Sequence, residues 1–584
     1  MQKHNNSKNW AMVVLLLWLS GIACTKLDVK TYSVVPTASY FQTAAEVAAA
    51  KAPSYAAVQN LYTNGATWLA TEIPSDEMVF PTRGSDWYDG GTWASLYYHN
   101  QTAVDVYGWI GGTWNDNIGG ASQCNYIIYT EKNLPTPPPT LAADLAEMIA
   151  LRSYFYYNAM DIFGNIPYVT NFKVDPATVQ TLPRAQLFDS LERDLLAAIP
   201  NLAANVDVTT YGKVTKWMAY SLLARMYLNA GVYKSQPGSY TYGASNTYWQ
   251  KCKDACDQVI NSGAYSLDPV YFNSFFGQNN TSAPENIFVA PASGTGIIPG
   301  NGIVQRTIEF NSSLTFGTPC CNYGNNGASA THDFYSQYDT NSTYSYNSVV
   351  INGRTVNNKL RTFADQRTAQ WLIGQQFQGD GVSNYPPNIN WVVDNNDYCC
   401  TYNGDTSTAH TTRIGDFYNG LYTPVIYYDR MTEFSNPADT FRHAGVRNIK
   451  YWPQPGNATG NQGNAFVIFR LADIYLMRGE AEYNLGMIPQ ALADFNAVRE
   501  RAYSGSTAHD WVAADLTPAN ILAERGRELA WEMVRRTDQI RFGTFGAAKN
   551  FPPKPADPDA HLTIFPIPQN QITANPNLKQ NAGY

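Results

Sequence analysis

Apolar residues return at intervals of three and four along six stretches of this chain: 142–163, 213–229, 249–260, 466–485, 489–502 and 518–534. That spacing lines one face of a 3.6-residue helix with apolar side chains, so amphipathic helices are expected on both flanks of the molecule. Between about 270 and 440 the pattern breaks into Asn, Gly, Tyr, Thr and Ser with short apolar pieces, the composition of long turns and short strands. The expected architecture is mainly α: one unit over 24–584, with a helical part (24–270), a loop-rich insert (271–440), and a C-terminal part of helices and a closing tail (441–584).

The helical stretches come in pairs. In "FRLADIYLMRGEAEYNLGMIPQALADFNAVRERA", Gly479, Gly486, Ala491 and Phe495 fall at the small and aromatic positions of a tetratricopeptide repeat, where small residues let two antiparallel helices approach closely. A degenerate copy is read in "WMAYSLLARMYLNAG" followed by "YWQKCKDACDQVINSG", with Ala255 and Val259 in its second helix, and "MIALRSYFYYNAMDIFG" would start the series. The last residues, "FPIPQNQITANPNLKQNAGY", differ from an ordinary frayed terminus. Pro566, Pro568 and Pro576 stiffen an extended tail and lower the entropy lost on docking, while Ile564, Phe565, Ile567 and Leu578 offer apolar surface to bury against the repeat helices. The segment expected to receive it carries Glu524, Arg525, Arg527, Glu528, Arg535, Arg536, Asp538 and Arg541, charges that read equally well as a solvated face.

The N-terminus bears on location. Lys3 and Lys8 precede an apolar run over 10–19 and small residues before Cys24, the anatomy of a cleaved export signal over 1–23. The run is about half of what crosses ~30 Å of hydrocarbon, so no membrane span is expected. Cys24 after Gly21-Ile22-Ala23 resembles the acylated cysteine of a bacterial lipoprotein, although Gly21 stands where that signal usually has Leu. An ordinary signal with a chance cysteine is the alternative. Acyl chains on Cys24 would anchor the chain to a membrane surface.

Composition narrows the chemistry. Charged residues make up 15% and the net charge is -8, so there is no basic footprint for nucleic acid. No HExxH, GxSxG or CxxC occurs, the seven histidines are scattered, and "GTGIIPG" at 294–300 leads into a strand-like run rather than the helix a phosphate cradle needs. Neither a cofactor nor a metal is expected. Cys252 and Cys256 share a helix face and should be buried thiols, whereas the vicinal pairs Cys320-Cys321 and Cys399-Cys400 suggest cross-links between two insert loops. Zinc is the weaker reading of those pairs, which lack C-x-x-C spacing.

Aromatic residues, 14% of the chain with 40 Tyr and 14 Trp, are the material for binding. Sugar rings stack their C–H faces on aromatic rings while their hydroxyls need polar partners. The loop "DEMVFPTRGSDWYDGGTW" at 76–93 mixes both, and its candidate ligand contacts are Arg83, Asp86, Trp87, Tyr88 and Trp93. In the insert, Trp371, Trp391 and Tyr398 are the candidates.

"LRSYFYYNAMDIFGNIPYVT", "KVTKWMAYSLLARMYLNAG", "ENIFVA", "FRLADIYLMRGEAEYNLG", "ILAERGRELAWEMVRRTDQIRFGTF" and "FPIPQNQITANPNLKQNAGY", in that order, resemble the SusD/RagB family of outer-membrane nutrient-binding lipoproteins of Bacteroidetes-type bacteria, over nearly the whole mature chain. The chain departs from the family pattern at Ala582, where Pro is common before the final Gly-Tyr, at Met533-Val534, and after Cys24, where "CTKLDVK" offers only Asp28 as an acidic export signal. The resemblance implies a SusD-like tetratricopeptide scaffold whose ligand is held by loops of 76–93 and of the insert, and a non-catalytic, surface-exposed, lipid-anchored protein. It further implies that such a protein captures a glycan or oligosaccharide and passes it to a SusC-like TonB-dependent outer-membrane barrel. The rival expectations are a surface glycoside hydrolase, a binder of a peptide or other nutrient, and a purely structural partner of the barrel.

Overall fold

The computed structural model describes residues 43–62, 66–104, 107–275, 277, 283–292, 300–309, 324–351, 354–375, 415–418, 421–424, 426–452 and 462–584. Cys24 and the leader, Cys320, Cys321, Cys399, Cys400, Trp391 and Tyr398 lie outside the described residues.

Helix α1 (Ala44–Asn60) opens with a capping box in which Thr43 and Glu46 satisfy each other's backbone N–H. It is followed by α2 (Ala66–Glu72), α3 (Thr92–Tyr97), α4 (Trp109–Lys132), α5 (Leu141–Phe163), α6 (Arg184–Ala198), α7 (Lys216–Leu228) and α8 (Trp249–Ile260). The C-terminal helices are α9 (Leu471–Asn484), α10 (Ile488–Ala502), α11 (Pro518–Leu529) and α12 (Arg535–Phe542). Neighbours pack as hairpins, α4 on α5, α7 on α8 and α9 on α10, and α8 also packs on α9 so that the pairs stack. This is the expected mainly-α, tetratricopeptide-like scaffold. At its closest crossings a glycine faces a ring: a Cβ at Gly479 would stand 2.9 Å from Phe495, and one at Gly120 would stand 2.3 Å from Phe155.

Two expected helices differ from what forms. The run 466–470 is strand β4 (Phe466–Arg470), paired antiparallel with β1 (Asn286–Ala290) in the register Phe466↔Ala290 and Val467↔Val289. "FVIFR" is buried throughout, and a short, wholly buried apolar run fits strand as well as helix. The stretch 518–534 breaks at Leu529, because Trp531 and Met533 both adopt left-handed backbone conformations (φ 62°) before α12 begins. In the insert, β2 (Ser342–Ile351) and β3 (Arg354–Phe363) form a hairpin of ten-residue strands, longer than the short strands expected.

The charged segment 524–541 is neither a solvated face nor, for the most part, a receptor for the tail. Its side chains are buried and paired within the molecule. Glu528 accepts from Arg470, Arg501 and Arg367, and Glu524 from Arg367 and Arg499 at 2.7 and 2.8 Å. Arg470 also donates to Glu285 and Glu532, each at 2.9 Å. Arg535 grips both oxygens of Asp76 at 2.7 and 2.8 Å, and Arg541 both oxygens of Glu480 at 2.8 and 2.9 Å. Such bidentate pairs satisfy buried charges that would otherwise be costly. They tie the insert and the first loop to the repeat helices.

The tail docks as its sequence suggests, with Phe565 and Ile567 fully buried and Ile564 and Leu578 nearly so. Its main seat is the exit of α5. The Phe565 N–H donates to Ile162 O at 2.7 Å, and Asn581 Nδ2 donates to Phe163 O at 2.6 Å and Phe565 O at 2.8 Å. Of the eight charges expected to receive it, Arg536 does so, donating to Thr563 O at 2.6 Å with its guanidinium over the Phe565 ring. Cys252 and Cys256 are buried free thiols on one face of α8, as expected, and Cys124 is a third.

Candidate functional site

The loop 76–93 begins as structure and ends as surface. Met78, Val79 and Phe80 are buried, and Val79 exchanges backbone hydrogen bonds of 2.9 Å with Ser329. Thr82 and Arg83 then pair in parallel with Ser435 and Asn436. Arg83 is inside the fold: its guanidinium donates to Asn326 O and Gly327 O at 2.6 and 2.7 Å, and to Ser329 Oγ and Ala444 O at 2.7 Å each. Burial, with Arg447 nearby, pulls its pKa well down. Arg83 pins three chain segments together and has no face left for a ligand.

Beyond Gly84 the chain turns through Trp87, Asp89, Gly90 and Gly91, all at positive φ. The turn stands Trp87 on edge. Its indole N–H donates to Asn325 O at 2.6 Å, and its ring lies 5.1 Å from Phe80 and 5.5 Å from Trp93. Gly327 is required beneath it, since a Cβ there would meet the Trp87 ring at 2.7 Å. Trp93 is buried, donates to Asp89 Oδ2 at 2.7 Å, stacks on Phe80 at 4.7 Å and touches Trp109 at 4.9 Å. It is the backing of the site rather than its surface, because this short helix must bury an aromatic to hold the loop.

What reaches solvent is Tyr88, 61% exposed, and Tyr107, 39% exposed, whose hydroxyl donates to Gly90 O at 2.8 Å. Asp86 is partly exposed and stands 3.7 Å from Arg442. Beside Tyr107, the N-terminus of α4 and the ends of α1 and α2 enclose a groove of about 370 Å³ lined by Asn60, Trp109, Gly112 and Asp116. Burial pushes the Asp116 carboxyl up to about 6, and the Trp109 indole N–H is buried without a hydrogen-bond partner. Exposed rings, a backing of stacked rings, and a carboxyl at the edge form a surface suited to a flat, hydroxylated ligand.

Of the expected contacts, Asp86, Trp87 and Tyr88 are together on this face, with Trp93 behind them and Arg83 below. Trp371 is elsewhere: it is buried, with its ring against Phe334, Tyr338 and Trp531, in a core that shares no ring contact with Trp87. A tryptophan flanked by strand and buried on all sides contributes packing. Tyr107, Trp109 and Asp116 escaped notice in the sequence, though "VYGWIGGTWND" repeats the glycine-aromatic-acid mixture of the first loop. Among the described residues no cluster of three His, Cys, Asp or Glu could hold a metal, and no helix is long and apolar enough to cross a membrane.

Residues 226–584 match the family model described as the SusD family. The chain belongs to the SusD family. Residues 40–228 of this family member match a second model, described as starch-binding associating with outer membrane. The chain is 24% identical over 549 residues to the starch-binding protein SusD of Bacteroides thetaiotaomicron, covering 89% of this chain and 85% of that one. It is 23% identical over 604 residues to SusD-like protein P2 of Formosa agariphila, covering 99% and 100%. Its fold matches that of surface glycan-binding protein A from Bacteroides thetaiotaomicron in complex with laminarihexaose, with a TM-score of 0.63 at 18% identity over 92% of this chain and 99% of that chain.

Proposed function

We propose that this SusD family member is a surface glycan-binding lipoprotein that captures an oligosaccharide on the Trp87–Tyr88–Tyr107 face and hands it to a SusC-like TonB-dependent barrel, held at the outer membrane by acyl chains on Cys24. The observation that carries this reading is the pair of exposed tyrosines, Tyr88 and Tyr107, on the loop that the Phe80–Trp87–Trp93 stack holds, beside a groove lined by Trp109 and Asp116. Relatives named for starch and glycan binding support it. Asp86 and Asp116 would meet sugar hydroxyls.

The test is affinity electrophoresis of the mature chain through gels containing plant, fungal and host polysaccharides, beside Tyr88→Ala and Tyr107→Ala. Retardation by at least one polysaccharide is expected, weakened about two- to thirteen-fold by each variant, the worth of one ring contact of ~0.5–1.5 kcal/mol. Both side chains are exposed enough for the variants to fold. Equal retardation of wild type and variants would move the site elsewhere, and no retardation by any polysaccharide would favour a peptide or other nutrient.

A further inference from the structure

The segment 545–557 reaches both ends of the loop 76–93. Its residues Lys549–Asn550 and Pro553–Lys554 pair as a short antiparallel hairpin. At the start of the loop, Lys549 Nζ donates to Pro74 O at 2.9 Å and to Ser75 O at 2.6 Å. At the far end, Tyr97 Oη donates to Pro552 O at 2.6 Å. His99, two residues past α3, ties the two ends and the segment together. It is 1% exposed, takes a left-handed backbone (φ 57°), and stacks on Phe545 with the ring centres 4.4 Å apart. Such a conformation persists where the surroundings hold it.

Both nitrogens of the ring meet acceptors. Nδ1 is 2.7 Å from Asp557 Oδ2, and Nε2 is 2.8 Å from Pro74 O. Pro74 O is a carbonyl and cannot donate. Asp557 is ionised: against the cost of burial, His99 and Lys554 hold its pKa down, Lys554 Nζ standing 2.5 Å from its other oxygen. A neutral imidazole carries one N–H, so it makes one of the two bonds and turns a lone pair on the other oxygen. The imidazolium makes both, and both are of the strong, charge-assisted kind.

The charges around the ring are Asp557 in favour of the second proton and Lys549 and Lys554 against it. Farther out, Asp76 is gripped by Arg535, Asp333 accepts the Asn550 N–H at 2.7 Å, and Arg536 lies 5.6 Å from the Phe545 ring. Burial above all opposes the charge and would draw the ring down to about 4. Against it stands the bond to Pro74 O, which the neutral ring forfeits where water cannot reach. Lys549 also relieves the crowding of cations: burial brings it to about 7, and as a neutral amine it still has two N–H groups for its two carbonyls.

We infer that His99 is a positioning residue that holds both ends of the loop 76–93 as an imidazolium, so that loss of one proton slackens the loop carrying Tyr88 and weakens ligand capture, although the ring never touches the ligand. The link to capture rests on the function proposed above; the grip rests on its own geometry. A histidine whose charge is favoured by folding stabilises fully below its unfolded pKa of about 6.5, and that contribution is lost as pH rises through the folded value.

Long-range proton–nitrogen NMR of the histidine-labelled mature chain tests the grip, with His99 identified by the signals lost in His99→Gln. Both ring nitrogens should be protonated at neutral pH, one becoming bare only in alkali, and amide exchange over 76–99 should quicken along the same titration. Asp557→Asn keeps an acceptor but removes the charge, so it should lower the proton affinity of the ring about ten-fold or more. Polysaccharide retardation of the wild type should weaken from neutral to alkaline gels, and His99→Gln, which leaves Lys549 in place, should lose that response. A bare nitrogen on His99 at neutral pH would overturn the inference, as would a ring that titrates while exchange over 76–99 stays constant. If retardation is the same in neutral and alkaline gels, capture on the aromatic face survives and the link to His99 falls. If nothing retards the wild type, the proposed function falls, and the ring and the exchange still decide the grip.

Discussion

Gly119 and Gly120 are adjacent in α4 and should respond to alanine with opposite signs. Inside a helix, Gly to Ala ordinarily stabilises by about 1 kcal/mol through backbone entropy and propensity. A Cβ at Gly119 meets nothing within 4 Å, so Gly119→Ala should gain about that much. A Cβ at Gly120 would stand 2.3–2.6 Å from three atoms of the fully buried Phe155 ring, so Gly120→Ala should lose about 1–3 kcal/mol by overpacking. Urea unfolding of both variants reads the difference, and equal effects would mean that α4 and α5 are not this close. Arg470 poses a charge question at the same scale. Its guanidinium donates to Glu285, Glu528 and Glu532 in a site closed to solvent. Arg470→Met should destabilise by roughly 3–5 kcal/mol, because three carboxylates lose their shared cation. Combining it with Glu528→Gln should recover part of that loss, which a purely steric defect would not allow.

At the scale of elements, the turn between α11 and α12 is held from outside. Trp531 and Met533, both at φ 62°, donate their backbone N–H groups to Glu77 Oε1 at 3.2 Å and Glu72 Oε1 at 2.6 Å. Both carboxyls are fully buried and face each other. Burial, then the neighbouring Glu72 charge, raises the Glu77 pKa well above its ordinary 4.5, and burial raises that of Glu72, so the folded state keeps a proton that the unfolded chain releases. The stability this contributes is complete below about pH 4.5 and is lost as pH rises through the folded pKa. Glu528 works the other way: against the cost of burial, Arg501 and Arg470 hold it down at about 2, so its contribution is present above 4.5 and lost toward pH 2. Thermal melts from pH 5 to 8 should therefore fall for the wild type and fall distinctly less for Glu77→Gln. Parallel slopes would show that the pair carries no shared proton. This turn also marks where sequence reading fails. The periodicity of 518–534 continues through a break that is set by two glutamates some 460 residues away, and α4 is hidden because "WIGGTWNDNIGG" is rich in the poorest helix formers short of proline. The repeat hairpins were legible because their signal is local. For the candidate site, the loop carrying Trp87 and Tyr88 stands out by composition, but composition does not separate the exposed Tyr88 from the buried Trp93 five residues on, nor show that the Arg83 guanidinium donates inside the fold.

At the scale of the molecule, the C-terminal tail decides whether the two flanks behave as one body. Besides α5 and Arg536, it reaches residues 176–181, where Asn575 Nδ2 donates to Pro176 O and Val179 O at 2.9 and 2.8 Å and the Lys579 N–H donates to Thr181 Oγ1 at 2.8 Å. It also closes on itself through Tyr584, whose hydroxyl donates to Ile564 O at 2.7 Å. Asn581 is the internal clasp. It is 2% exposed, and its two N–H groups satisfy one carbonyl of α5 and one of the tail. Asn581→Ala would leave both carbonyls buried and unpaired, at about 1–3 kcal/mol each before relaxation. Asn581→Asp keeps the size but loses the donors and sets a carboxylate against two carbonyl oxygens, so it should be the worse of the two. If the tail joins the flanks into one cooperative unit, Asn581→Asp should lower the midpoint of a single unfolding transition monitored by tryptophan fluorescence and by circular dichroism alike. If the tail merely decorates a scaffold that is stable without it, hydrogen exchange in Asn581→Asp should quicken over 560–584 alone, with the α4–α5 amides unchanged and the transition midpoint unmoved. The position of Phe565 beneath Arg536 and against the end of α5 argues for the first outcome, because loosening the tail uncovers the apolar end of one flank and strips a partner from a guanidinium buried in the other.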